Sequence, residues 1–304
     1  MSDIVCLYHD DCFDGMGAAW AVSKRFPNAQ FIGVRYNEPL PAKLEGKVVY
    51  IVDFCYPLST LIWLSCIAEE VHVLDHHKGM DKVIDDYNGM MKFLGFDGEK
   101  YNAVFDMDRS GAKLTWETLM PEHCTPAIID FISDRDLWLF HLDETKAVMA
   151  GLGAYPIDLV TWDRLFRWAP DFNSRADKAP EESIHPHFLA MNALEDDGHV
   201  ILRKMKMDVD RLIELTKRTI TLSGYEVPLV NMPRTLTSEA LEILSKGQPF
   251  AVSYFDSAGF REFSLRSTSD GLDLLPIAKQ FDGGRGHSKA AGFRVPRDHP
   301  LAQY

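Results

Sequence analysis

Four short stretches of the chain collect the residue types that polarise water and hold cations. "YHDDCFDGMGAAW" carries His9, Asp10, Asp11, Cys12 and Asp14 in close succession. "VVYIVDFCYP" ends an almost wholly apolar run on Asp53, and "VHVLDHH" ends another on Asp75, His76 and His77. "FISDRDLW" brings Asp134 and Asp136. Carboxylates and imidazoles are costly to strip of water, so apolar runs that finish on them are uneconomical as plain scaffold. Each stretch alone has a structural account, since Asp14 or Asp53 could simply cap the helix that follows. Gathered in one crevice, the same groups would repel one another strongly, and divalent cations are the natural neutraliser. Mixed carboxylate and imidazole donors, with no C-x-x-C pair, suit Mn²⁺, or Mg²⁺ where oxygen dominates. A carboxylate shared by two ions ~3.5–4 Å apart is an arrangement that hydrolyses phosphate esters.

The elements around these stretches would have to deliver them to one place. Short β-rich runs at 4–8, 30–35, 48–53 and 71–74 alternate with helical patterns such as 15–25 and 58–69. Such alternation predicts a parallel sheet covered by helices on both faces, an α/β fold, with ligands bound beyond the carboxyl ends of the strands. Three of the four stretches lie just past expected strand ends. A Pro-, Asp- and Ser-rich segment, "APDFNSRADKAPEES" at 169–183, reads as a connector. A long helical pattern follows, and "YEVPLVNM", "FAVSYFD" and "FREFSLRS" then read as strands, with "DSAG" as a hairpin turn. The expected organisation is a first domain over 1–183, a connecting helix over 184–222 and a smaller α+β domain over 223–304.

Composition narrows the function classes. The chain has 304 residues and a formal net charge of -13, which argues against a protein that coats long duplex nucleic acid through a basic surface. A small phosphorylated ligand stays open, because metal ions and a local basic patch outweigh the global sign. Five scattered cysteines fit a reducing compartment better than a disulfide framework. No signal-peptide pattern and no run of ~18–20 apolar residues is present, so a cytoplasmic protein with no membrane partner is expected.

The order H-x-x-C-x-D-G, V-D-F, D-H-H, "DRSGAKLTWETL" and "SDRDLW" resembles the DHH phosphoesterase superfamily, which includes RecJ-type exonucleases, nano-RNA and cyclic-dinucleotide phosphodiesterases and exopolyphosphatases. The later stretch "FSLRSTSDGLDLLPIAKQFDGGRGHSKAAGF" is similar to the DHH-associated domain, in which a Gly-rich segment closes over substrate. The resemblance covers residues 4–139 and 225–295. It implies that His9 and Asp14 are metal ligands, that Asp53 bridges two ions, and that His76 and Asp134 complete the second site. It further implies that His77 stabilises the transition state or protonates the leaving oxygen, with Asp75 orienting a histidine. Asp134 is preferred to Asp136 because Trp138 then falls where relatives have an aromatic four residues after the acid. Arg266, Gly284, Arg285, Gly286 and His287 would bind substrate phosphate or base, with Lys289 nearby.

One departure stands out. Cys12 occupies the place of the first of two aspartates that many relatives carry. Either Asp11 compensates or Cys12 is itself a thiolate ligand, which would favour softer metals. Ser110 reads as a helix cap, and Trp116, Trp138, Trp162 and Trp168 read as core. The activity implied is hydrolysis of phosphodiester bonds in short nucleotides or oligonucleotides, of exonuclease type, by a water activated between two Mn²⁺ ions. An exopolyphosphatase or pyrophosphatase, and a non-catalytic nucleotide-binding module, are the alternatives. The sequence leaves a homodimer open.

Overall fold

A computed structural model describes residues 3–166 and 186–304. The expected connector at 169–183, Trp168 and the first two residues of the expected connecting helix lie outside the described residues. The chain divides into two compact units, Met1–His199 and Val200–Tyr304.

In the first unit β1 (Ile4–His9), β2 (Gln30–Val34), β3 (Val48–Val52), β4 (Glu70–Asp75) and β5 (Tyr101–Phe105) form one parallel sheet in the order β2-β1-β3-β4-β5. The two-residue strand period sorts the side chains between its faces. Val5, Leu7, Val49, Ile51, Val71 and Val73 pack with α2 (Leu58–Ile67) and α3 (Asp81–Phe93). Cys6, Val48, Tyr50, Val52 and Leu74 face α1 (Phe13–Arg25) and α4 (Gly111–Leu119). Both faces are covered, which is why β3 is buried throughout and reads as an unbroken apolar run.

A further helical layer packs on α1 and α4: α5 (Ala127–Asp136), α6 (Thr145–Leu152), α7 (Leu159–Phe166) and the start of α8 (Pro186–Thr216). Trp20, Trp116 and Trp162 are fully buried there, as core tryptophans should be. α6 meets α8 partly through side chains, Val148, Met149 and Leu152 sharing a core with Met191 and Leu194, and partly through bare backbone. A methyl group on Gly151 would run into the Leu194 carbonyl oxygen, and one on Gly198 into that of Ala147, so the two backbones touch directly.

The second unit carries a six-stranded mixed sheet in the order β10-β11-β9-β8-β7-β6. Its strands are β6 (Arg218–Leu222), β7 (Tyr225–Asn231), β8 (Ala251–Ser257), β9 (Phe260–Arg266), β10 (Arg285–His287) and β11 (Ala290–Pro296). All pairs are antiparallel except β7 with β8, which α9 (Thr237–Leu244) connects. The "DSAG" stretch does turn the β8–β9 hairpin, with Gly259 at φ +79°. The expected helix to residue 222 stops earlier, at Thr216, and 218–222 is strand. In "RTITL" only Ile220 and Leu222 are buried, a two-residue alternation that the helical period had absorbed. β5, β10 and β11 were not anticipated either, lying in stretches interrupted by polar residues and glycines. The division between the two compact units, after His199, falls within α8.

Candidate metal centre

The strand order reverses direction at β1, which has β2 on one side and β3 on the other. A crevice opens beyond the carboxyl ends of two such strands, where neighbouring crossovers diverge. β1 ends on His9, Asp53 follows β3 directly, and β4 ends on Asp75 with His76 and His77 next. These three strands are neighbours, so the side chains arrive on one edge.

Asp53 is the middle of the arrangement. It is 1% exposed and holds a left-handed backbone, φ +63°, which is costly for a residue with a Cβ and turns its side chain out of the strand's alternation. Gly111, at the start of α4, makes room for it: a Cβ there would lie 2.5 Å from Asp53 Oδ1. His76 Nε2 is 3.2 Å from Asp53 Oδ1 and His9 Nδ1 is 3.5 Å from Oδ2. Neither approach has hydrogen-bond geometry, so both Asp53 oxygens, His9 Nδ1 and His76 Nε2 are buried without a hydrogen bond. Buried polar atoms are nearly always paired, and four orphans facing one another are the signature of a place for a cation.

Asp14, in the first turn of α1, is also 1% exposed. It does cap a helix, though not its own: its carboxylate accepts the N–H groups of Gly111 at 2.6 Å and Ala112 at 2.9 Å, in the first turn of α4. Its Oδ2 also lies 3.4 Å from His76 Nε2. Asp136 Oδ2 approaches the same His76 nitrogen at 3.6 Å. The donors therefore sort into three groups, each with its ligand atoms within 4.8 Å of one another: His9, Cys12 and Asp53; Asp53, His76 and His77; and Asp14, His76 and Asp136. Each could hold a metal ion, and Asp53 belongs to two of them.

Electrostatics agree with that reading. Burial and the charges of Asp53 and Asp136 push the Asp14 carboxyl well above the usual carboxylate range. Burial and Asp53 raise Asp136 as well. Burial would also raise Asp53, but His76, His9 and Asp14 beside it more than offset this and hold it at about 2. Burial and nearby Asp53 push the Cys12 thiol up to about 12. Three carboxylates that compete for protons in this way lack positive charge.

His77 sits at the rim, with its side chain 37% exposed. Its Nδ1 donates to Asp75 Oδ1 at 2.8 Å, and the same oxygen accepts the backbone N–H groups of His76 and His77. A carboxylate only accepts, so the ring proton is on Nδ1 and Nε2 is left free towards the crevice. Burial lowers the His77 pKa, but the Asp75 bond and the charges of Asp53 and Asp136 lift it above the ordinary 6.5. Asp75, 0% exposed, holds the backbone of His76 and orients the His77 ring. Tyr36 lies edge-on to both His9 and His77, with ring centroids 4.6 and 5.9 Å away.

Thus His9, Asp14, Asp53, Asp75, His76 and His77 come together, and Asp134 does not. The Asp134 carboxylate accepts the N–H groups of His141 at 2.8 Å and Leu142 at 3.2 Å and the Thr145 hydroxyl. It anchors the chain after α5, and Asp136, two residues on, turns to the cluster instead. Asp11 does not compensate for the missing aspartate, for it is largely exposed and near Arg35, as is Asp10. Trp138 is not core: it is 69% exposed, with Phe140 4.9 Å away between ring centroids and both backbones left-handed, at φ +59° and +50°. Ser110 is the N-cap of α4, its oxygen accepting from the Lys113 N–H.

In the second unit, Arg266, Arg285 and Gly286 line one cavity of about 340 Å³, together with Arg234 and Arg294, which the motif pattern had not suggested. Gly284 and His287 are outside that lining. Gly284 instead lets the chain pass against the carbonyl of Ala278 in α10 (Leu275–Ala278), and His287 is exposed on β10. Lys289 donates to the Gly271 carbonyl. Burial lowers the Arg266 pKa.

No family model matches the chain. Among curated proteins it is similar to uncharacterized protein R106 of Acanthamoeba polyphaga mimivirus, 24% identical over 312 residues, which covers 95% of this chain. The chain spans 66% of that relative's length, just under two thirds. Two solved structures are similar at low identity. One is an uncharacterized protein from Helicobacter pylori G27, 14% identical with a TM-score of 0.39, covering 96% of this chain and 93% of that one. The other is a pGpG-specific phosphodiesterase, PggH, from Vibrio cholerae, 11% identical with a TM-score of 0.44, covering 97% and 93%. Among the described residues no helix is long and apolar enough to cross a membrane.

Proposed function

We propose that the chain is a metal-dependent phosphoesterase of the DHH type that hydrolyses phosphodiester bonds in short nucleotides or oligonucleotides. The observation that carries this is the Asp53 carboxylate, buried, without a hydrogen bond, and common to two groups of donors at the strand switch point. The order of motifs along the chain supports the same family.

Bound divalent cations, Mn²⁺ by donor type, would make water more nucleophilic and draw charge from the phosphoryl oxygens. Asp53 would be shared between two positions, with His9 on one side and Asp14, His76 and Asp136 on the other. As an oxygen nucleophile bonds to phosphorus and the ester P–O bond breaks, His77 passes its Nε2 proton to the departing oxygen. Asp75 keeps that nitrogen aimed and steadies the imidazolium before transfer. The Asp75 hydrogen bond, first among the groups that raise the His77 pKa, favours the protonated form this role needs. The arginine-lined cavity of the second unit suits phosphate groups, since the guanidinium fork grips phosphate with two donors.

The test is turnover by metal-stripped protein reloaded with Mn²⁺ or Mg²⁺, over 5′-phosphorylated di- to decanucleotides, cyclic dinucleotides and polyphosphate. Metal-dependent release of mononucleotides, abolished in Asp53→Ala, is the expected result. Phosphate release from polyphosphate alone would replace the substrate reading. Equal turnover by Asp53→Ala would overturn the centre itself.

A further inference from the structure

We propose that Cys12 is a sulfur ligand of this centre, so that the position it shares with His9 and Asp53 takes a borderline-soft divalent cation such as Zn²⁺ or Co²⁺ in preference to Mn²⁺. The inference rests on the metal-centre reading above and sharpens it.

The sulfur is well placed, with only the N–H groups of Gly15 and Asp14 in the first turn of α1 approaching it. Cys12 Sγ, a His9 ring nitrogen and an Asp53 oxygen lie within 4.8 Å of one another. Cys12 is the N-cap of α1, yet its side chain makes no capping hydrogen bond. Serine, aspartate and asparagine are the residues that cap well and sulfur accepts only weakly, so a capping role alone accounts poorly for cysteine here. Beside it stands an independent sign of a missing ligand: Asp53, 1% exposed, with both oxygens unpaired. The acid that might have replaced sulfur, Asp11, is exposed and turned to Arg35. Among the described residues the other four cysteines belong to none of the candidate metal groups.

Charge balance points the same way. Asp14, Asp53 and Asp136 supply three negative charges to the three groups around the crevice. Two dications bring four positive charges into a site of low dielectric, where a residual charge is costly. A Cys12 thiolate supplies the fourth negative charge, its proton leaving to solvent as the ion binds. Thiolate is also the donor that distinguishes Zn²⁺ and Co²⁺ from Mn²⁺, which prefers oxygen.

The experiment loads the full-length, metal-stripped protein with Co²⁺ and records its absorption. Visible ligand-field bands report that cobalt is bound, and a near-ultraviolet charge-transfer band reports a Co–S bond. The wild type and the exposed-site control Cys66→Ser should show both. Cys12→Ser and Cys12→Asp should lose the near-ultraviolet band and keep the visible ones, and Cys12→Asp should shift metal preference towards Mn²⁺ in competition. Two substitutions guard against one that merely fails to fold, which circular dichroism would reveal. Ligand-field bands without a charge-transfer band in the wild type, or a charge-transfer band that survives in Cys12→Ser, would overturn the sulfur assignment while the metal centre stood. Absence of any cobalt absorption in the wild type would overturn both.

Discussion

Asp134 and Asp136 are two residues apart, both acidic and both at the end of α5, yet the structure gives them opposite jobs. Removing each in turn separates those jobs. Asp134→Ala strands the part-buried N–H groups of His141 and Leu142 and the buried Thr145 hydroxyl. Hydrogen bonds to a charged group contribute ~1.5–3 kcal/mol each and are not additive, so the loss should come to about 3–5 kcal/mol. For a domain of this size each kcal/mol moves the melting temperature by ~2–4 °C, so Tm should fall by roughly 6–20 °C. Asp136→Asn removes a carboxylate whose pKa is already raised by burial and Asp53. Its metal-free Tm should therefore hold or rise. Mn²⁺ at 100 times its Kd stabilises the native state by ~2.7 kcal/mol, a Tm increase of roughly 5–11 °C. That increase should persist in Asp134→Ala and vanish in Asp136→Asn. Thermal melts with and without Mn²⁺ read both quantities at once. A folded Asp134→Ala that loses the Mn²⁺ shift, beside an Asp136→Asn that keeps it, would refute the assignment.

Other positions respond differently. Gly111→Ala puts a methyl 2.5 Å from Asp53 Oδ1, so Mn²⁺ affinity measured by titration should fall about 10- to 100-fold, with a stability cost of ~1–3 kcal/mol. Trp138→Ala, at an exposed site, should leave Tm within about 1 °C but raise KM for dinucleotides by roughly 5- to 150-fold, the worth of one base stacked on an aromatic ring. An unchanged KM would remove Trp138 from the substrate's path. Raised pKa values at Asp14 and Asp136 mean the metal-free native state binds protons that the unfolded chain has released. Metal-free stability should therefore fall as pH rises above 3.8 through the raised values, while Mn²⁺ affinity rises over the same window as protons cease to compete. Denaturation and titration series across pH test the two opposed slopes.

Much of the site was legible in the chain because strand ends are legible. A parallel sheet sends every carboxyl end to one edge, and apolar runs that stop on Asp53 or on Asp75, His76 and His77 mark that edge without any coordinates. The structure brings Asp136 rather than Asp134 to the cluster, and a signal for that placement existed. Asp136 recurs at helical spacing with Ile129 and Ile132, whereas Asp134, although itself buried, lies about 200° round α5 from Asp136. An aromatic landmark at Trp138 outweighed that phase and misled, since Trp138 follows the helix and is exposed. The fourth helix's dependence on Asp14 was invisible for a different reason: residues 14 and 111 meet only after the sheet has formed. Arg234 and Arg294 escaped notice because arginines scattered over separate strands and turns have no periodicity to give them away.

The bare contact between α6 and α8 has a mechanical corollary. Where two helices touch at carbonyls and glycine Cα atoms, the close points leave no slack to slide, and the joint behaves as a weld rather than a bearing. α6 starts at Thr145, whose hydroxyl is held by Asp134, and Asp134 shares its last helical turn with Asp136. Torque on the long helix would thus travel through two glycines, one hydroxyl and one buried acid to a donor of the metal centre. A larger residue at Gly151 or Gly198 would be felt as a change in the cation's coordination, far from where the chain was altered.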